Sequence, residues 1–241
     1  MCCVRVLVGS AKTPKSGVTE SGDTLELVER RKGGVSVVMA DGQGSGQAAK
    51  RVSAMVVART TSLIADGVRD GAAARAAHDF LFAFRDGKVS CELIVVSADV
   101  RTKTLVVSRN SRVPVIVRSP GDGVTVLAGE AEPIGLHEAM KPSITQVRLE
   151  PGLMALAMTD GITEAGSRTG LRLDIHGIMR LVEEASPEDP QGLAEMVLSR
   201  GAEADGGRLM DDMCVVVMSV APLLTDFPVR KLTVEFPVVG I

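Results

Sequence analysis

Three apolar, strand-forming runs in this chain are bounded by aspartate. Val35 to Ala40 runs into Asp41-Gly42, Leu153 to Thr159 runs into Asp160-Gly161, and Asp211-Asp212 opens the run Met213 to Val220. Runs of this kind bury themselves in sheets, so acids at their ends fall at a sheet rim, where several can converge. Converging carboxylates repel one another and raise each other's pKa unless a cation neutralises them. Hard divalent cations with all-oxygen shells, Mg²⁺ or Mn²⁺, meet that need. A metal-dependent phosphoryl-transfer or hydrolysis site is therefore the first functional expectation.

The elements around these runs define an order. Residues 3–9 read as a strand. Thr24 to Val28 and Val35 to Ala40 read as a hairpin turning at Lys32-Gly33-Gly34. Helical periodicity follows over Gln47 to Ala65 and Ala72 to Phe84, whose Met and Phe stripe reads as core packing. From Cys91 the pattern is strand: Cys91 to Ala98, Thr104 to Ser108, Val113 to Arg118 and Val124 to Leu127. Ile144 to Leu149 and Leu153 to Met158 read as a hairpin across Glu150-Pro151-Gly152. Asp174 is placed to cap one helix, and Ser186-Pro187-Glu188-Asp189 to start the next. A last strand follows Asp211-Asp212. Short connections imply antiparallel pairing, and helices in consecutive pairs cover sheet faces. The expected fold is α+β, a four-layer α-β-β-α sandwich of two mainly antiparallel sheets flanked by helix pairs. Residues 1–221 would form one domain. Residues 222–241 would be a C-terminal extension, with a β-like stretch at Lys231 to Val238 that serves as an added edge strand or a homodimer contact.

Composition narrows the function. A formal net charge of −3, with no Trp, no Tyr and only 5 Phe, gives no footprint for nucleic acid or an anionic membrane. No apolar run reaches the length of a membrane span, and the first residues lack a signal-peptide pattern, so a cytoplasmic location is expected. Cys2, Cys3, Cys91 and Cys214 form no CxxC pair, which favours plain thiols in a reducing compartment. His78, His137 and His176 are not at zinc-ligand spacing.

Each acid has a plainer reading. Asp41-Gly42 and Asp160-Gly161 can be turn formers, Glu164 a helix-start acid, Asp23 a hairpin-edge residue and Asp212 a solvated loop charge. Asp41 has more in its favour. The glycines of GQGSG after it let backbone approach a ligand, Gly42 can offer its carbonyl, and the loop enters a helix N-terminus. The loop is neither a Walker A sequence nor GxGxxG.

Taken together, VSVVMADGQGSGQA, LMALAMTDGITEAG and MDDMCVVVMSV resemble the three signature blocks of the metal-dependent protein phosphatases, the protein phosphatase 2C type. Within that family they look like the bacterial SpoIIE branch, whose opening block is matched by Ser21-Gly22-Asp23. The ADGQGSGQA block is most similar to the short RsbX-like stress-response serine phosphatases. The resemblance covers about Gly22 to Val220, nearly the whole chain.

That resemblance implies roles for individual residues. Asp41 would bridge two Mn²⁺ or Mg²⁺ ions, Gly42 would ligate one through its carbonyl, and Asp160 and Asp211 would complete the other shell. Asp23 would hold water from outside the ligand set, and Asp212 stands where relatives have Asn or Asp. It implies hydrolysis of phosphoserine or phosphothreonine by a metal-activated water, with a STAS-domain signalling or stressosome protein as the phosphorylated partner. The arginine that eukaryotic relatives place before the first acidic block is absent, and Glu20, Ser21 and Gly22 occupy that neighbourhood. Two other readings stand beside it: a catalytically silent phosphoprotein-binding module on the same fold, and a small-molecule Mg²⁺ phosphohydrolase.

Overall fold

A computed structural model describes residues 3–225 and 229–235. Among these residues the strands form two five-stranded sheets, and every paired neighbour is antiparallel. One sheet runs β1 (Val4–Thr13), β10 (Met213–Pro222), β9 (Met154–Met158), β6 (Val115–Ser119), β7 (Gly123–Leu127). The other runs β2 (Thr24–Glu29), β3 (Gly34–Gly42), β4 (Cys91–Asp99), β5 (Thr104–Asn110), β8 (Ser143–Arg148). Helices α1 (Gly46–Ala65) and α2 (Asp70–Arg85) cover the second sheet. The short α3 (Asp160–Thr163) follows β9, and α4 (Ile175–Glu184) and α5 (Pro190–Ala204) cover the first sheet. The expected four-layer sandwich is what the chain adopts.

Three apolar layers hold it together, and strand alternation sorts residues among them. On β3, Val37 and Met39 enter the layer between the sheets, while Val38 and Ala40 face α1 and α2. On β10, Cys214, Val216, Met218 and Val220 enter the inter-sheet layer, while Met213, Val215 and Val217 pack under α4 and α5. These central strands read as unbroken apolar runs because both of their faces are buried. The starts of α4 and α5 are both capped, that of α4 by the expected Asp174 and that of α5 by Asp189. Asp174 accepts from the Gly177 amide at 2.7 Å, and Asp189 accepts from the Gly192 amide at 2.9 Å. The last helix begins at Pro190, later than the Ser186 signature, because Ser186 closes its own turn onto the Glu188 amide. The edge of β1 is covered by α5. Gln191 donates to the Ser10 carbonyl and accepts from its amide, at 2.9 and 3.0 Å.

One expected pairing is wrong. The runs on either side of Glu150-Pro151-Gly152 are not a hairpin: β8 pairs with β5 in one sheet, and β9 pairs with β6 and β10 in the other. β8 alternates between half-buried and exposed, as an edge strand does, whereas all of β9 is buried. The Gly152 amide is already taken by the Val220 carbonyl. At the other end of the chain, β10 ends at Pro222, and Arg230 pairs with Glu29 at 2.6 Å. Of the β-like stretch Lys231 to Val238, residues 231–235 have no strand, and 236–238 lie outside the described residues. No helix among the described residues is long and apolar enough to cross a membrane.

Candidate metal centre at one end of the sandwich

The inter-sheet layer is apolar until its strands reach one end, where the same faces turn polar. Asp41 continues the face of Val37 and Met39 on β3, and Glu92 continues that of Ile94 and Val96 on β4. Asp41 and Glu92 are register partners. Asp23 precedes Leu25 on β2, Thr159 follows Ala155 and Ala157 beyond β9, and Asp212 precedes Cys214 on β10, all at the same two-residue step. On β1, Lys12 follows Val4, Val6 and Val8 on that face and is the register partner of Cys214. Both sheets thus end in charge at one rim.

Hydrogen bonds tie the sheets together there. Thr159 donates its hydroxyl to Asp23 Oδ2 at 3.0 Å and accepts from the Cys214 amide at 3.0 Å. Asp212 is buried, and each of its oxygens accepts a backbone amide at 2.9 Å, from Lys15 and Gly22. It secures the segment that carries Asp23. Asp211 is the exposed member of the pair, its Oδ1 accepting from the Asp212 amide. Ser53 on α1 donates to the Gly22 carbonyl and contacts Thr24 Oγ1 at 2.7 Å. Lys50 on α1 donates to the Asp23 carbonyl at 2.9 Å and to Thr24 Oγ1 at 3.0 Å. Lys12 reaches the same Asp23 carbonyl at 3.3 Å. Glu92 accepts from Ser111 Oγ at 2.5 Å.

The glycines of the two Asp-Gly pairs are set by close backbone approach. A Cβ on Gly42 would stand 2.2 Å from the Ala49 carbonyl oxygen of α1, and one on Gly161 would stand 2.1 Å from the Asp212 carbonyl oxygen. Neither has a positive φ. Within GQGSG, Gly44 and Gly46 do, at +100° and +63°, and these make the turn from β3 into α1.

The carboxylates feel one another strongly. Asp41 is pushed up to about 9, first by burial and then by Asp23, Asp160, Glu92 and Asp211. Asp23 is raised to about 7 by burial, with Asp212 and Asp160 adding to it and the Thr159 hydrogen bond opposing it. Asp160 is raised to about 6 by burial, then by Asp211 and Glu92. The sequence candidates Asp41, Asp160, Asp211, Asp23 and Asp212 are thus brought to one rim, together with Gly42. Glu92, Thr159, Lys12 and Lys50 stand with them and were not singled out from the sequence. The signal for Glu92 and Thr159 was available, since each sits two residues beyond an inward-facing apolar position, and Lys12 lies four residues beyond Val8 on the same strand face.

The donor set fits a hard divalent cation in kind, being carboxylates from both sheets held against mutual repulsion. Among the described residues no three His, Cys, Asp or Glu side chains form a ready cage. Cys91 and Cys214 do not offer a nucleophile at this rim, because burial pushes both thiols up and disfavours the thiolate.

Comparison with known proteins agrees with this architecture. Proteins called stage II sporulation protein E from Priestia megaterium and Bacillus subtilis are each 22% identical, over 87% and 90% of this chain. The chain spans only 35% and 26% of their lengths. The PP2C phosphatase domain of SpoIIE from Bacillus subtilis, solved with a fragment of its regulatory domain, superposes with a TM-score of 0.77 at 21% identity. That match covers 93% of this chain and 66% of that one. RsbX in complex with magnesium gives 0.70 at 14% identity, over 92% of this chain and all of its own. The sequence profile of stage II sporulation protein E (SpoIIE) matches residues 31–221, from the turn before β3 to β10, and the chain belongs to that family.

Proposed function

We propose that this chain is a metal-dependent phosphoserine/phosphothreonine protein phosphatase. The observation that carries the reading is the convergence of Asp41, Asp160 and Asp211 from both sheets on one rim, where the charges of Asp160 and Asp211 add to burial in raising Asp41, and that of Asp211 adds to burial in raising Asp160. Asp41, Asp160 and Asp211 would hold two Mn²⁺ or Mg²⁺ ions, helped by the Gly42 carbonyl. When bound, those ions supply the positive charge that acidifies water and offsets charge on the phosphoryl oxygens. The chain supplies the positioning. Asp23, with Oδ2 fixed by Thr159, keeps its other oxygen for water at the centre. Asp212 spends both oxygens on backbone amides and so holds the Asp23 segment in place. The close approach of Gly161 to Asp212 fixes the distance between the segments bearing Asp160 and Asp211. A phosphorylated STAS-domain signalling protein is the substrate class favoured by the likeness of the ADGQGSGQA block to the RsbX-like phosphatases.

The test is release of inorganic phosphate from a phosphoserine protein with Mn²⁺, in the wild type and in Asp41→Ala. Turnover that requires Mn²⁺ and is lost in the variant is the expected result. Turnover in excess chelator, or undiminished in Asp41→Ala, overturns the metal mechanism. Binding of the phosphoprotein without any turnover would make the chain a recognition module.

A further inference from the structure

Two lysines at this rim have no role in the account so far. Lys12 projects from β1 and Lys50 from α1, so they come from different layers of the sandwich. Their ammonium groups meet at one atom, the carbonyl oxygen of Asp23, at 3.3 and 2.9 Å. The only other acceptor of Lys50 among the described residues is the neutral Thr24 hydroxyl. Neither ammonium stands within ion-pair distance of a carboxylate among the described residues. The acidic groups that Lys50 feels are Glu20 and Asp23, and the basic one is Lys12. Two cations are therefore held side by side by neutral oxygens, with the Asp23 carboxylate acting on both and Glu20 on Lys50 only from beyond ion-pair distance, so that a directly bound anion would further offset their repulsion. An ammonium has three donors, so both lysines keep hydrogen-bonding capacity beyond these contacts.

An anion of the right chemistry follows from the proposed function, on which this step rests. A phosphate monoester brings two charges and several acceptor oxygens to the carboxylate rim. The arginine expected to hold it is missing, with Glu20, Ser21 and Gly22 in its neighbourhood. We propose that Lys12 and Lys50 jointly bind the phosphoryl group of the substrate, one from β1 and one from α1, in place of a single bidentate arginine. Two point-charge donors on separate elements replace one planar fork, and each contributes without the other.

The experiment compares wild type, Lys12→Ala, Lys50→Ala and the double variant, with Lys12→Arg and Lys50→Arg as charge-preserving partners. It reads KM and kcat for a phosphoserine protein and, independently of turnover, binding of inorganic phosphate to the Mn²⁺-loaded protein by calorimetry. Loss of a charged hydrogen bond should weaken phosphate binding and raise KM by about 10-fold per lysine. Mn²⁺ affinity and the melting temperature should stay near wild type, and the arginine variants should recover most of the loss. Unchanged phosphate affinity in the folded double variant overturns the proposal. So does a loss that follows weakened Mn²⁺ binding, since that marks the lysines as braces for Asp23. Wild-type turnover in the same series tests the phosphatase reading separately, because the phosphate titration does not depend on it.

Discussion

Gly161→Ala is the most demanding test of how the rim is built. The added methyl carbon would lie 2.1 Å from the Asp212 carbonyl oxygen, where ordinary contact begins at 3.4 Å, so the two segments must part by about 1.3 Å. One segment carries Asp160 and the other Asp211. Forcing a methyl into a close-packed contact costs about 1–3 kcal/mol of stability. A misplacement of about 1 Å in a catalytic constellation costs on the order of 10²-fold in rate. Urea denaturation should therefore show a lower midpoint with an unchanged slope, and phosphate release should fall by about that factor. Gly177→Ala is the control. Its Cβ meets nothing nearer than Asp174 Oδ1 at 3.8 Å, and it lies in α4 without a positive φ. That variant should gain about 0.5–1 kcal/mol and keep full activity. A Gly161→Ala protein with wild-type stability and rate would refute the claim that this contact sets the spacing of the acids.

Other expectations rest on the same rim. Asp41, Asp23 and Asp160 are raised from 3.8 to about 9, about 7 and about 6, so the metal-free folded chain holds protons that the unfolded chain has released. The stability these groups contribute is complete below the unfolded value of 3.8 and is lost as pH rises through the folded values. Urea midpoints in chelator should fall steadily between pH 5 and pH 9, roughly the window of these shifts, and Mn²⁺ should flatten the decline. A flat profile in chelator would contradict it. Thr159→Ala removes the donor to Asp23 and the acceptor of the buried Cys214 amide, and should cost about 1–3 kcal/mol. Thr159→Ser should restore most of that, and equal melting temperatures for all three proteins would show that the link between the sheets is idle.

Much of this was legible in the sequence because strand and helix periodicities are strong here. Val35 to Ala40 and Met213 to Val220 could only be central strands, and the acids at their ends had to fall at the rim. Pairing was less legible. Glu150-Pro151-Gly152 specifies a reversal, but only the half-exposed face of β8 and the fully buried faces of β9 reveal that the chain changes sheets there. Gly42 read as giving a ligand access to backbone, and Gly161 as part of a strand-ending turn. Their contacts are with the Ala49 and Asp212 carbonyls, long-range neighbours that no local pattern contains. Of the two adjacent aspartates, Asp212 looked the readier to be solvated, yet it is the buried one and Asp211 the exposed one. Two amides from distant segments meet Asp212 and satisfy its oxygens, and those could not be read from residues 211–212 alone. Lys50 carries no strand-parity signal at all, since it arrives from a helix.

The central claim is that these carboxylates exist to hold cations, and a calorimetric titration of Mn²⁺ into the chelator-treated protein tests it without any substrate. The account predicts two ions bound per chain near neutral pH, with protons released because Asp41 must give up the one it holds at a value of about 9, and loss of that binding in Asp41→Asn. Absence of Mn²⁺ binding by the folded wild type, or binding that is unaltered in Asp41→Asn, would contradict it.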